Sequence, residues 1–163
     1  MSNETLEFVI EQVRIGLDRA IEDATSVIDD YWLEFRMTNK RLLNEQAGLT
    51  DAPYNRGNIA PRMVTRSGKT YVEWMCYGPG RYGARKQNWG ERITPRKGPR
   101  YHKSQFEKKA QPWELELIIE TEDKLRPLRY TIEKTHSTLV YLNKILKVQL
   151  AAEGQASDEH EES

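Results

Sequence analysis

The stretch RMVTRSGKTYVE, residues 62–73, decides the fold because it predicts a β-hairpin with a defined register. If the Ser-Gly pair at 67–68 forms the turn, Arg62 lies opposite Glu73, and apolar side chains face each other at the next position. An ion pair and an apolar pair in one register favour that turn. We therefore predict a β-hairpin over 61–77.

Helical patterns flank the hairpin on both sides. Between residues 4 and 46, apolar residues recur at steps of three and four, which is typical of a long amphipathic helix. A second long helix is predicted over 112–150. Its apolar positions are seven apart: Ile118, Leu125, Ile132, Leu139 and Leu146.

The predicted fold class is α+β. Two long antiparallel helices form a coiled-coil-like hairpin, with a small antiparallel β-sheet of two or three strands between them. The third strand is expected over 89–94. Residues 1–153 form a single domain in this interpretation, and the polar residues 154–163 form a disordered acidic tail.

The apolar seam of the second helix has two candidate partners. It packs either against the first helix of the same chain or against a second copy in a homodimer formed through the C-terminal helix. Pro127 predicts a kink in this helix or a new start near Asp123, because proline lacks an amide hydrogen and clashes with the preceding turn.

The net charge of zero hides a strongly dipolar chain. Residues 56–109 carry 14 Lys and Arg against 3 Glu, a net charge of +11. Residues 1–55 carry a net charge of −6, and residues 110–163 carry −5. A concentrated basic region is typical of a surface that binds a polyanion, although the same cations would also balance the acidic helices or an acidic protein partner.

Most of these cations lie in a predicted basic loop, 78–109, which is rich in Gly and Pro and interleaves basic with aromatic residues. Lys and Arg neutralise phosphates, and aromatic rings stack on unpaired bases. The pattern predicts nucleic-acid binding without specifying DNA or RNA. The candidate binding residues are Arg81, Arg85, Lys86, Trp89, Arg96, Lys97, Arg100, Tyr101 and Lys103.

Neither catalysis nor metal binding has a supporting pattern. The three histidines, His102, His136 and His160, form no metal-binding motif, and the single cysteine, Cys76, has no disulfide partner. We predict no enzymatic activity, no cofactor and no metal site. No apolar run approaches the roughly 18 residues that span a bilayer, so we expect a cytoplasmic protein that does not enter the membrane.

The YVEW strand at 71–74, the basic aromatic segment through 89–101 and Trp113 ahead of the last helix stand in a characteristic order. This layout, with an acidic helix in front, resembles that of the MobI-type auxiliary mobilisation proteins of integrative conjugative elements and conjugative plasmids. The resemblance covers most of residues 5–150. It implies a DNA-binding accessory factor that acts at an origin of transfer beside a separate relaxase, and it transfers no catalytic residue.

We therefore interpret the chain as a non-catalytic DNA-binding accessory protein for DNA mobilisation or conjugative transfer. Its expected partners are DNA and a relaxase or another transfer protein. One alternative is an RNA-binding protein. Another is a structural adaptor that assembles through its helical seam. The acidic tail is expected to compete with DNA for the basic surface, so that its removal would tighten binding.

Overall fold

The computed structural model describes residues 3–77 and 90–162, and every element below lies within them. Helix α1 is followed by three strands, a short helix α2 and a second long helix, α3. Their bounds are α1 Asn3–Glu45, β1 Ile59–Arg66, β2 Lys69–Cys76, β3 Glu91–Ile93, α2 Ser104–Glu107 and α3 Pro112–Glu161. The strands form one antiparallel sheet in the order β1-β2-β3. The predicted α+β class, with a small sheet between two long helices, is confirmed.

The hairpin has the predicted register, with Arg62 opposite Glu73. Its turn is the Ser-Gly pair, in which φ is 51° at Ser67 and 79° at Gly68. Two consecutive residues with positive φ give a turn whose twist matches that of the flanking strands. Glycine adopts this conformation without a steric penalty, so the turn fixes the register from which the sheet's charged face follows.

The two long helices run antiparallel and pack on each other. Asn3 at the start of α1 donates a hydrogen bond from Nδ2 to Oε1 of Glu153, 2.7 Å away, near the end of α3. At the other end of the pair, the ring of Phe35 lies 6.4 Å from that of Trp113. Within this chain, α3 therefore packs along the first helix. The seam residues Ile118, Leu125 and Ile132 are all buried.

The core is richest where the sheet lies between the helices. Trp74 of β2 is fully buried, and its ring packs edge-on against Tyr31 of α1 and Phe106 of α2, with centroids 5.2 and 5.5 Å apart. Such aromatic pairs contribute about 0.5–1.5 kcal/mol each beyond the area they bury. The Tyr31 hydroxyl also donates to the carbonyl of Ile59 at 2.6 Å, which ties β1 to α1.

A buried carboxylate joins the start of β1 to the start of α3. Glu114 is 0% exposed and accepts hydrogen bonds from the backbone amides of Asn58, Ile59 and Gln111. Burial raises the pKa of Glu114, although these three amides oppose the shift. A side chain at Gly57 would collide with this carboxylate and with Phe35.

Helix α3 is continuous through Pro127 and is longer than predicted. No new start occurs near Asp123, and Leu125 and Ile132 on either side of the proline are buried, which opposes the proline's cost of about 3 kcal/mol. The helix also continues to Glu161, through the segment predicted to be disordered. The segment contains Ala156, Glu159 and Glu161, which favour a helix, beside Gly154 and Asp158, which do not.

Across residues 3–77 and 90–162, no helix combines the length and the apolar character needed to cross a bilayer.

Candidate nucleic-acid interface

One face of the sheet carries a carboxylate surrounded by three arginines. Glu73 of β2 is 1% exposed and receives charge-assisted hydrogen bonds from Arg62 at 2.9 Å and Arg66 at 2.8 Å, both on β1. Arg92 of β3 approaches the other carboxylate oxygen, Oε2, to 2.8 Å. Because the guanidiniums remain 34 to 43% exposed, this face is a partly neutralised basic surface anchored on one buried acid.

The protonation of Glu73 reflects this arrangement. Burial acts to raise the pKa of the Glu73 carboxyl, but hydrogen bonds from Arg66 and Arg62 and the charges of Arg66 and Arg92 outweigh it, so the pKa is lowered. Glu73 therefore stays ionised at neutral pH and holds the three guanidiniums in place. The sequence predicted the contact with Arg62 and missed the other two.

A tight turn next to the sheet carries cations of a different kind. Lys97 and Arg100 form an isolated antiparallel bridge, with the Arg100 amide donating to the Lys97 carbonyl at 3.1 Å. Gly98 within the turn has φ 55°, a conformation that favours glycine. Arg96, Lys97 and Arg100 are exposed, and within the described residues none of them lies within ion-pairing distance of an acid. We call these three residues the turn cations.

Arg129 of α3 fixes this turn in space. Its Nη1 donates to the Pro99 carbonyl at 3.1 Å, and its Nε donates to the Val72 carbonyl of β2 at 2.8 Å. The same guanidinium makes a bidentate pair with Glu122, at 2.6 and 2.9 Å, and lies over the Tyr101 ring. One buried cation thus joins helix, strand and turn, and orders the backbone that displays the turn cations.

A second anchor comes from Gln105 of α2. Its Nε2 donates to the Thr94 carbonyl at 2.6 Å, and its Oε1 accepts from the His102 amide at 2.9 Å. These bonds close both ends of the segment that contains the turn. The turn cations are therefore long side chains on an ordered backbone, which lowers the conformational entropy lost when they bind a partner.

The predicted binding residues separate into three groups. Arg96, Lys97, Arg100 and Lys103 are exposed on this ordered segment, and Lys103 makes a long contact with Glu107, at 3.8 Å. Tyr101 lies in the core. The remaining predicted residues fall outside the part of the chain that the structure describes: Arg81, Arg85, Lys86 and Trp89.

At Tyr101 the structure corrects the prediction. The side chain is 3% exposed, its ring stacks on Phe106, and its hydroxyl accepts a hydrogen bond from the Trp74 amide at 3.3 Å. The ring therefore contributes to the core and is not available to stack on a base. Its place between charged neighbours in the sequence hid this role.

The turn and the sheet face border the same cleft. Lys69 and Arg92 line it from the sheet, Gly98 and Pro99 line it from the turn, and its volume is about 140 Å³. The cleft thus has Lys69 of β2 and Arg92 of β3 on one side and the backbone of the turn on the other. Arg129 also lines this cleft.

Sequence reasoning missed the two buried ions that position the turn, Arg129 and Glu122. Both lie on α3, seven residues apart, next to the apolar seam, and both are almost fully buried. The available signal was a pair of opposite charges at the seam's heptad spacing. Such charges are more often exposed, since buried ions are stable only when paired.

Across residues 3–77 and 90–162, no three or more His, Cys, Asp or Glu side chains are grouped so that they could hold a metal ion.

Comparison with known proteins gives a family assignment. The family model described as MobI protein matches residues 20–143, well over half of the chain. This range contains the sheet, the turn cations, Arg129 and most of both long helices. No match was found among curated proteins or among solved structures.

Proposed function

The chain belongs to the MobI family, whose members are mobilisation proteins, and from this premise we propose that it is a non-catalytic DNA-binding accessory protein. In this proposal it acts in the cytoplasm, in conjugative transfer at an origin of transfer. The observation that carries the DNA-binding proposal is the set of turn cations, which are exposed, make no ion pair with any described residue and are held on an ordered backbone.

Phosphate groups are the ligands that best match this arrangement. Exposed Lys and Arg bind phosphates by releasing the counterions condensed on nucleic acid, and this term supplies most of non-specific affinity. The sheet face adds Lys69 and the outer edges of the arginines around Glu73. Arg81, Arg85, Lys86 and Trp89 remain proposed contacts from the segment that precedes β3, as does Lys103 beside the turn.

We assign strand cleavage to a separate relaxase, with this chain acting as its accessory at the DNA. A nicking assay on supercoiled plasmid carrying a transfer origin tests the assignment. The purified chain alone should leave the plasmid supercoiled. Nicking of the plasmid by the purified chain alone would contradict this assignment.

DNA affinity measured against salt concentration tests the binding proposal. If six to ten phosphates are contacted, the logarithm of the association constant should fall with the logarithm of salt concentration at a slope of roughly −5 to −9. A flat response would contradict the proposal. The same titration with an RNA duplex of equal length distinguishes the RNA-binding alternative, which requires tighter binding to RNA.

The adaptor alternative, assembly through the helical seam, would use the two halves of the seam differently. Leu125 and Ile132 are buried between α3 and the rest of the same chain, while Leu139 and Leu146 are half-buried. A homodimer that used Leu125 and Ile132 would have to displace other parts of the chain, whereas one that used Leu139 and Leu146 would pair their exposed sides. Light scattering with and without DNA separates the alternatives, since an adaptor would oligomerise without DNA.

A further inference from the structure

The cleft between the sheet and the turn has features that phosphate binding alone does not require. Its walls are formed by the strand segment from Lys69 to Glu73, the turn at Gly98 and Pro99, and α3 at Ile132 and Glu133. At about 140 Å³ it is well below the roughly 300–1,000 Å³ of sites for drug-sized ligands. Its size suits a single planar ring system and not a base pair.

Apolar and aromatic surface lines much of this cleft. Tyr71, Pro95 and Pro99 contribute to it, together with the buried Ile132. Tyr71 is half-buried, and the Nζ of Lys69 lies 5.1 Å from the centre of its ring. Surfaces of this kind, with a cation beside an aromatic ring, bind the flat faces of unstacked bases.

The charges around the cleft have a pattern that a phosphate would not select. Lys69 and Arg92 are cations that line it. Glu133, which lines it from α3, is half-buried and has no ion-pair partner within the described residues. A carboxylate repels phosphate and accepts hydrogen bonds from N–H groups, such as the exocyclic amino group of cytosine.

We propose that this cleft binds one unstacked nucleobase of the bound DNA, with Glu133 accepting a hydrogen bond from the base and with Lys69 and Arg92 contacting the flanking phosphates. The proposal rests on the DNA-binding function proposed above and deepens it. It identifies the preferred ligand as a duplex with an unpaired nucleotide, or a single-stranded segment next to a duplex.

Three duplexes of one sequence test the proposal. The first is fully paired, the second carries one unpaired cytosine, and the third carries an abasic residue at that position. Because the second and third share the flexibility of an extra nucleotide, their difference reports the base itself. The full chain should bind the cytosine duplex about 5- to 150-fold more tightly than the abasic duplex, the range expected for stacking of one base.

Substitution of Glu133 tests which side chain reads the base. Glu133→Ala should reduce the preference for unpaired cytosine over the abasic residue, because it removes the hydrogen bond to the base and leaves the stacking surface in place. The matched control is Glu116→Ala, on the exposed surface of the same helix, which also removes one negative charge. Both variants should bind the fully paired duplex equally well, and only Glu133→Ala should show a reduced preference. Retention of the full preference in Glu133→Ala would overturn the role of Glu133.

The possible failures can be told apart. Equal affinity for the cytosine and abasic duplexes, with salt-dependent binding to all three, would overturn the base-binding cleft and leave the DNA-binding function intact. Absence of salt-dependent binding to every duplex would overturn both. Thermal unfolding of each variant verifies that the comparison is made between folded proteins.

Discussion

The sheet face and the neighbouring turn are both basic, but their cations are held in different ways. On the sheet, Arg62, Arg66 and Arg92 share the buried carboxylate of Glu73. On the turn, Arg96, Lys97 and Arg100 are exposed and make no ion pair within the described residues. The sheet cations order the sheet, and their charge is partly neutralised by the carboxylate of Glu73. The turn cations are available to a polyanion.

The number of cations in a segment therefore does not show where a binding surface lies. The decisive property is whether each cation already has a partner inside the fold. Arg129 makes this clear, because it is basic and close to the turn, yet its hydrogen bonds all go to Glu122 and to backbone carbonyls. Its role is to position the turn.

The largest expected effect follows from removing Arg129, the residue that joins the two regions. Arg129→Met leaves the Glu122 carboxylate buried without its counter-ion, and breaking a buried pair in this way costs about 3–5 kcal/mol. Urea unfolding followed by circular dichroism measures the loss. The urea concentration at the midpoint of unfolding should fall, while the dependence of the unfolding free energy on urea concentration should change little.

A double variant checks the cause of that loss. Adding Glu122→Gln to Arg129→Met removes the buried charge, while the amide oxygen can still accept the hydrogen bond from Trp74. We expect it to recover roughly 2 kcal/mol, because the unpaired ion is the main penalty. Strictly additive losses in the double variant would show that the two side chains do not act as a pair.

Glu73→Gln is expected to have a smaller effect, on the sheet face alone. The loss should be about 1–3 kcal/mol, below that of a fully buried pair because the arginines are partly exposed to solvent. Since the pKa of Glu73 is lowered from its usual value of 4.5, the stabilisation is present above that pH and is lost as the pH falls.

Unfolding measured across pH checks the sign of this dependence. The difference in unfolding free energy between the original chain and Glu73→Gln should be constant near neutral pH and should shrink below about pH 4.5. Because the other carboxylates are common to both proteins, their contributions cancel in the difference. If this difference in unfolding free energy grew as the pH fell, the assigned direction of the pKa shift would be contradicted.

The smallest effect is expected from the acidic end of α3. Because residues 154–161 continue the helix, they lie roughly 40 Å along its axis from Arg129. This distance exceeds the Debye length of about 8 Å at physiological salt. Contrary to the competition expected from a disordered tail, deletion of residues 154–163 should change DNA affinity by less than about 2-fold at that salt concentration. Tightening by more than this would indicate that the tail reaches the basic surface.

The sequence predicted those features that depend on local spacing. The hairpin register could be predicted because a Ser-Gly turn places Arg62 opposite Glu73, and the seam because Ile118, Leu125 and Ile132 repeat every seven residues. Composition did not indicate that α3 extends to Glu161, because residues 154–161 include Gly, Ser and Asp, which are weak helix formers. Each of these features depends on residues that are close together in the sequence.

The features that the sequence did not predict depend on contacts between distant residues. Arg92 reaches Glu73 only once β3 has joined the sheet, and Arg129 reaches the Pro99 carbonyl only once α3 has packed on it. Tyr101 was interpreted as part of a basic segment, because nothing in its neighbours indicates that its ring turns inward onto Phe106. Whether a charged side chain is free to bind a partner therefore depends on the tertiary structure.

The salt dependence of DNA affinity after removal of the turn cations tests whether the turn is the DNA-binding surface. The test variant combines Arg96→Ala, Lys97→Ala and Arg100→Ala. The control combines Arg19→Ala, Lys144→Ala and Lys147→Ala, which removes the same charge from exposed positions on the two long helices.

Fluorescence anisotropy with a labelled duplex gives affinity at several salt concentrations for both variants. The test variant should bind about 10- to 100-fold more weakly near physiological salt, and its log-log slope should be shallower by about 2 to 3, one contact per lost cation. The control should keep the slope of the original chain. Equal slopes for the test variant and the original chain would contradict the assignment of the turn as the DNA-binding surface.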